Sequence, residues 1–125
     1  MSAISGAHAH LAKAREFLEA AELEHGQDLC NAATSNVVLS GVNSKDAICL
    51  KLAGKTNKAD DHVAAVRELA ATGAQGRDLA PVLKRLLSKK TKAQYQTTGI
   101  AASDARRAIE QATRLYDAAQ RIVTS

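Results

Sequence analysis

The fold of this chain turns on residues 28–54, DLCNAATSNVVLSGVNSKDAICLKLAG (Asp28–Gly54). Wound at 3.6 residues per turn, Ala33, Val37, Ser40, Gly41, Ser44, Ala47, Ile48 and Leu52 fall along one stripe. Most of these side chains are small, so another helix can approach closely. The spacing predicts a long central helix, capped by Asp28 and stopped by Gly54. Gly41 and the Asn43-Ser44 pair are its weak point. On their own they fit a turn between two shorter helices equally well.

The flanking segments carry the same period. Ser5 is placed to cap a first helix running to about His25, with Ala7, Leu11, Ala14, Leu18 and Ala21 on its buried stripe and Gly26 at its stop. Lys55 to Asp60 reads as a polar loop. Asp60 or Asp61 then starts a short third helix with Val63, Val66, Leu69 and Ala70 inside, stopped by Gly73. Asp78 is read as the cap of a fourth helix, Leu79 to about Tyr95, with Pro81 in its first turn. Gln96 to Ala102 reads as a loop around Gly99. Ser103 caps the last helix, with Asp104 in its first turn and Ala105, Ile109, Ala112, Tyr116, Ala119 and Val123 buried. The expectation is an all-α, up-and-down bundle of about five helices, one domain spanning residues 1–125.

Composition agrees. The 125 residues include 26 alanines and one proline, and only 2% are aromatic (Phe17, Tyr95 and Tyr116). That excludes a disulfide scaffold, a disordered coil and a single-strand binder built on stacked aromatics. Cys30 and Cys49, 19 positions apart on one helix, cannot pair and read as small buried thiols. No run of eighteen apolar residues suggests a membrane span. Met1 to His10 lacks the pattern of a signal peptide, so the expected location is the cytoplasm. Seventeen basic against thirteen acidic residues leave a net charge of +4, a mild bias that fits nucleic acid or an ordinary lysine-rich surface.

No glycine-rich phosphate loop, CxxC pair or HExxH is present. His8 and His10 point about 200° apart on a helix, a poor metal pair, so neither metal nor cofactor is expected. His25, near a helix C-terminus, faces the negative end of the dipole. Arg107, Arg114 and Arg121 repeat every seven residues along the last helix. Two other segments can carry chemistry. One is Leu86-Leu87-Ser88-Lys89-Lys90-Thr91-Lys92-Ala93-Gln94-Tyr95. With Lys84 and Arg85 it gathers five cations within nine positions, and Lys90 falls on the inner stripe. This is either a solvated helix end or an anion-facing patch of Lys89, Lys90, Lys92, Gln94 and Tyr95. The other is Ser44-Lys45-Asp46-Ala47-Ile48-Cys49 with Asp61-His62. Asp46 lies near the inner stripe and needs a cation, for which Lys90 is the expected partner. His62, in the first turn of its helix, reads as a capping or surface histidine before it reads as a general base.

These segments resemble the HEPN domain, a small bacterial and archaeal helical family often encoded beside nucleotidyltransferases. The resemblance covers about Leu11 to Val123. It rests on the long small-residue helix from Asn31-Ala32-Ala33 through Ser44–Cys49 to Leu52-Ala53-Gly54, and on Asp61-His62-Val63-Ala64-Ala65-Val66. Its third support is Leu86–Tyr95, followed by Ala102-Ser103-Asp104-Ala105. It implies one long second helix through Gly41. Active members of that family are metal-independent ribonucleases, with an arginine followed after four to six residues by a histidine. Two subunits usually face the motifs into one cleft. The resemblance puts Lys90 at the arginine position and Gln94 at the histidine position, just before Tyr95. Arg85 is followed by no histidine. Lysine holds a phosphate as a point charge, but glutamine cannot carry a proton near neutral pH.

The expectation is therefore a cytoplasmic, homodimeric HEPN-type protein that is not an efficient ribonuclease. It would bind RNA, a nucleotide or a partner protein such as a nucleotidyltransferase, within a toxin–antitoxin or defence system. The site residues expected for this are Lys89, Lys90, Lys92, Gln94, Tyr95, Asp46 and His62. One alternative is a weak endoribonuclease toxin using Lys90 with His62 or Tyr95. Another is a purely structural interaction module. A sequence-specific DNA reader is disfavoured, because no helix pair ends in an exposed recognition helix.

Overall fold

A computed structural model describes residues 2–57, 61–90 and 99–125. Among these residues there are five helices and no strand: α1 (Ala3–Gly26), α2 (Cys30–Ala53), α3 (His62–Ala70), α4 (Ala74–Leu87) and α5 (Ala102–Thr124). The chain is an all-α bundle, as the periodicity predicts. Each of the other four helices contacts α2. It runs unbroken through Gly41, where a Cβ would collide with Leu86 Cδ2. Glycine at 41 thus leaves room for the Leu86 side chain of α4 against the α2 backbone, and no turn forms there.

The α1–α2 contact is built from small groups. Ala7, Ala14 and Ala21 are sealed on one side and Ala33, Ser40 and Ala47 on the other. The Ser40 hydroxyl donates to the Ala14 carbonyl at 2.8 Å, which satisfies this buried polar group on the seam. Larger side chains (Leu18, Val37, Ile48, Leu69, Leu83, Leu86, Ile109 and Leu115) fill the space where α2, α4 and α5 converge. Fully burying each contributes about 1.5–3 kcal/mol. The His25 ring lies 3.0 Å from the Ala102 carbonyl and ties the end of α1 to the start of α5.

Helix starts differ from expectation in four places. Ser2, not Ser5, caps α1: its Oγ accepts from the Ser5 N–H at 3.1 Å. Asp28 caps nothing. It sits at φ +64° in the tight link between α1 and α2, and Leu29 holds the cap position without a side-chain bond. Asp tolerates that left-handed geometry better than most residues. Helix α4 begins at Ala74, behind Gly73, so Asp78 and Pro81 lie inside it instead of opening it. Packing explains the early start: a Cβ at Gly76 would collide with the Leu69 carbonyl, so glycine lets α4 lie against α3. Helix α5 starts from Ala101, with Ser103 already in its first turn. Asp61 does cap α3, accepting from the Val63 and Ala64 N–H groups. Helix α4 also ends at Leu87, with Ser88 at its C-cap in a turn, instead of running on to about Tyr95; residues 91–98 lie outside the described residues, as do Asp60 and part of each expected loop. Of the two cysteines, both free thiols, Cys49 is buried and Cys30 is only partly so.

Candidate functional site

The centre of the site is a lysine. On the α2 stripe, Lys45 follows Gly41 by one turn and precedes Cys49 by one turn, so the helix carries its stem inward. Its side chain is only 2% exposed. The ammonium donates to Asp46 Oδ1 at 3.1 Å, Thr56 Oγ1 at 2.9 Å and the Asn57 carbonyl at 3.2 Å, and forms an ion pair with Glu68 from α3. The Thr56 hydroxyl donates in turn to Asp46, and the Asn57 N–H donates to Glu68 at 3.0 Å. Two anions and two polar oxygens thus satisfy one buried cation. The network fastens the segment after Gly54 to both α2 and α3.

Burial alone would push the Lys45 ammonium down, but the bond to Glu68 and the charge of Asp46 outweigh it and hold it above its usual value. Burial pushes Glu68 up. The Asn57 N–H, Lys45 and Thr56 together more than reverse that and hold it below the ordinary carboxylate value. Burial pushes the neighbouring Cys49 thiol up to about 12, against an opposing pull from Lys45. Cys49 is therefore an inert thiol, not a nucleophile.

Beside this network lies a cleft of about 310 Å³, walled by α1, α2, α3 and the end of α4. Its floor is apolar, formed by Val38, Val42, Ala65, Leu83 and Leu87. Its polar wall brings together His10 and Lys13 from α1, Asn43 and Asp46 from α2, Asp61 and His62 at the start of α3, and Lys90. The Asn43 amide N–H₂ donates to the Leu39 carbonyl, which leaves its Oδ1 to accept from His10 Nδ1 at 2.8 Å. That contact assigns the proton to Nδ1 of the ring. His10 Nδ1 also lies 3.9 Å from Asp46 Oδ2.

The two acids on this wall are already committed. Asp46 is bound by Lys45 and Thr56, and Asp61 is engaged in capping α3. Among the described residues neither Lys13 nor Lys90 forms an ion pair. The cleft therefore presents Lys13 and Lys90, neither in an ion pair among the described residues, beside His62 and above an apolar floor. Chemically this suits an anion with an apolar body.

The structure brings Asp46, His62 and Lys90 into one cleft, three of the residues singled out in the sequence. It corrects one relationship among them: Asp46 pairs with Lys45, not Lys90. No hydrogen bond joins His62 to Lys90 among the described residues. Lys89 is half-buried and does not line the cleft, while Lys92, Gln94 and Tyr95 lie outside the described residues. Sequence reasoning missed Lys45, Thr56, Glu68, Lys13 and the role of His10. Only Lys45 left a signal, a cation on the small-residue stripe. No three His, Cys, Asp or Glu side chains among the described residues are grouped to hold a metal ion, and no helix there is long and apolar enough to cross a membrane. No protein-family model matches the chain, and no curated protein matches it.

Proposed function

We propose that this chain is a HEPN-type helical module that holds a phosphate group of RNA or a nucleotide in the His10–His62–Lys90 cleft, without efficient ribonuclease turnover. The observation that carries the reading is the position of Lys90. The resemblance puts the phosphate-holding cation of the family motif there, and Lys90 lines a cleft whose acids are already neutralised or capping. A lysine holds phosphate as a point charge, and Lys13 and His62 stand beside it in the cleft. Gln94, at the position of the family's histidine, has no proton to exchange near neutral pH. A homodimer, a nucleotidyltransferase-type partner, a cytoplasmic setting and a toxin–antitoxin or defence role belong to the same proposal and rest on the resemblance.

The test is fluorescence anisotropy with a labelled single-stranded octanucleotide RNA, followed by a gel for cleavage. The reading expects salt-sensitive binding that Lys90→Ala weakens at least fivefold, with the RNA left intact. Equal binding by wild type and Lys90→Ala overturns it.

One observation favours a second reading. His62 shares the cleft with Lys90, which is the placement a weak endoribonuclease would need for proton transfer. Cleavage that is lost in His62→Ala while binding persists would establish that reading in place of the first.

A further inference from the structure

Arg107, Arg114 and Arg121 form a row along α5, one every seven residues, that the cleft does not use. Their surroundings divide them. Arg107 meets Asp104 at 3.6 Å, whereas neither Arg114 nor Arg121 forms an ion pair among the described residues. Asp117 stands three residues after Arg114 and four before Arg121, the spacings at which helical side chains meet, yet it pairs with neither. Both arginines instead line a groove of about 580 Å³ between the first half of α4 and the second half of α5. Its floor is Leu79, Ala118 and Ile122, with Leu52 from the last turn of α2, which stays 45% exposed. The α4 side carries an acid, Asp78, also without an ion pair among the described residues. No residue lines both this groove and the cleft.

We propose that this groove docks an amphipathic helix of a partner protein, one with carboxylates seven residues apart on the edge facing α5 and a cation on the edge facing α4. Spacing selects a helix. Arg114 and Arg121 lie two turns apart, about 10.5 Å along the α5 axis. A partner helix packed at about 20° to α5 returns to the same edge every seven residues, after the same rise. An extended peptide repeats a face every two residues, so its acids fall about 6.6 or 13 Å apart and miss one arginine. Charge selects the edges. The guanidinium fork suits bidentate pairing with a carboxylate. Asp78, on the opposite wall, repels a partner that is anionic throughout, which disfavours a nucleic-acid strand. Apolar side chains between the two edges of the partner helix would cover Leu52, Leu79, Ala118 and Ile122, as in other helix-in-groove complexes.

The probe is a fluorescein-labelled helical peptide of three heptads, with leucine and alanine at its apolar positions, glutamate along one edge and lysine along the other. Anisotropy titration with the full chain is expected to show binding. A peptide with lysine on both edges should bind about tenfold more weakly, because it sets cations against Arg114 and Arg121. The double variant Arg114→Glu/Arg121→Glu should reverse that preference. A peptide with glutamate on both edges should bind Asp78→Asn more tightly than wild type. Leu52→Asp, which puts a charge on the floor, should weaken the first peptide without reversing the preference. All four side chains are exposed or at the groove edge, so the variants should fold, and circular dichroism checks this. Equal binding of the first two peptides by wild type, or an unchanged preference in the arginine variant, overturns the proposal, as does binding of neither. Sedimentation of the chain alone examines the rival occupant: self-association that the arginine variant abolishes would put a second copy in the groove and overturn the partner helix. Displacement of the peptide by polyuridylate would make the groove a polyanion face and overturn it as well.

Discussion

The Lys45 ammonium and the Glu68 carboxylate meet between α2 and α3 with the cation sealed and the anion at the edge of solvent, 2% against 29% exposed. The asymmetry decides which partner matters more. Lys45→Met would leave Asp46 buried without its cation and would unfasten Thr56 and Asn57. Breaking a buried pair in this way costs about 3–5 kcal/mol. Glu68→Gln leaves Lys45 paired with Asp46 and should cost less, about 1–3 kcal/mol. Urea unfolding of the two variants checks the order. A Lys45→Met protein as stable as wild type would contradict the account.

The same cluster sets the pH dependence. The Glu68 pKa is lowered by folding, so its contribution is present above the ordinary carboxylate value and lost as pH falls through its lowered pKa. The Lys45 pKa is raised, so its contribution is complete below 10.5 and lost above it. Cys49 acts over an earlier alkaline window. Its thiol ionises near 9.0 when unfolded and at about 12 when folded, so between those values the unfolded chain gives up the proton first. Stability then falls by about 1.4 kcal/mol per pH unit. Urea midpoints between pH 9 and 10.5 should decline more steeply in wild type than in Cys49→Ala. Parallel lines would be the contrary result.

Three glycine-to-alanine changes should separate by what the new methyl meets. At Gly76 it strikes the Leu69 carbonyl, and α3 and α4 must move apart, so this variant should be the least stable. At Gly41 it strikes the Leu86 side chain, which is itself fully buried, for an overpacking cost of about 1–3 kcal/mol. At Gly26, the last residue of α1, nothing lies within 4 Å, and alanine should stabilise by about 0.5–1 kcal/mol. Thermal melts of the three variants test the order.

Pro81→Ala should raise stability. Pro81 is exposed at the eighth position of α4 and offers no N–H to the Arg77 carbonyl one turn back. Restoring that bond in an exposed helix interior should gain about 1–3 kcal/mol. Denaturant titration reads the change directly.

The stripes of the bundle were legible because burial repeats along a helix. Ala7, Ala14, Leu18 and Ala21 on α1, and Ala33, Val37, Ser40, Gly41, Ser44, Ala47 and Ile48 on α2, are buried where the period puts them. Caps were not, because each rests on one residue's backbone geometry. Ser2 and Ser5 both suit the N-terminus of α1, and only the fold chooses between them. The start of α4 was misplaced because Asp78 and Pro81 suit the first turn of a helix, whereas the contact of Gly76 with Leu69 exists only in the tertiary fold. In the site, Asp46 was legible as an inward acid, but its partner is the adjacent Lys45. A lysine normally counts as surface, and Glu68 and Thr56 reach it only through the tertiary fold.

The alanine seam between α1 and α2 also bears on how the chain folds. Its two 24-residue helices are joined by only Gln27, Asp28 and Leu29, so closing this hairpin costs little chain entropy. Its contacts are local in sequence, and local contacts form fast. Both helices are complete by Ala53, so the hairpin can assemble during synthesis, before α3 leaves the ribosome. It then offers α4 and α5 a preformed, narrow platform. In a kinetic experiment, substitutions along the Ala14–Ser40 seam should slow folding, whereas those at Leu83 or Ile109 should mainly speed unfolding.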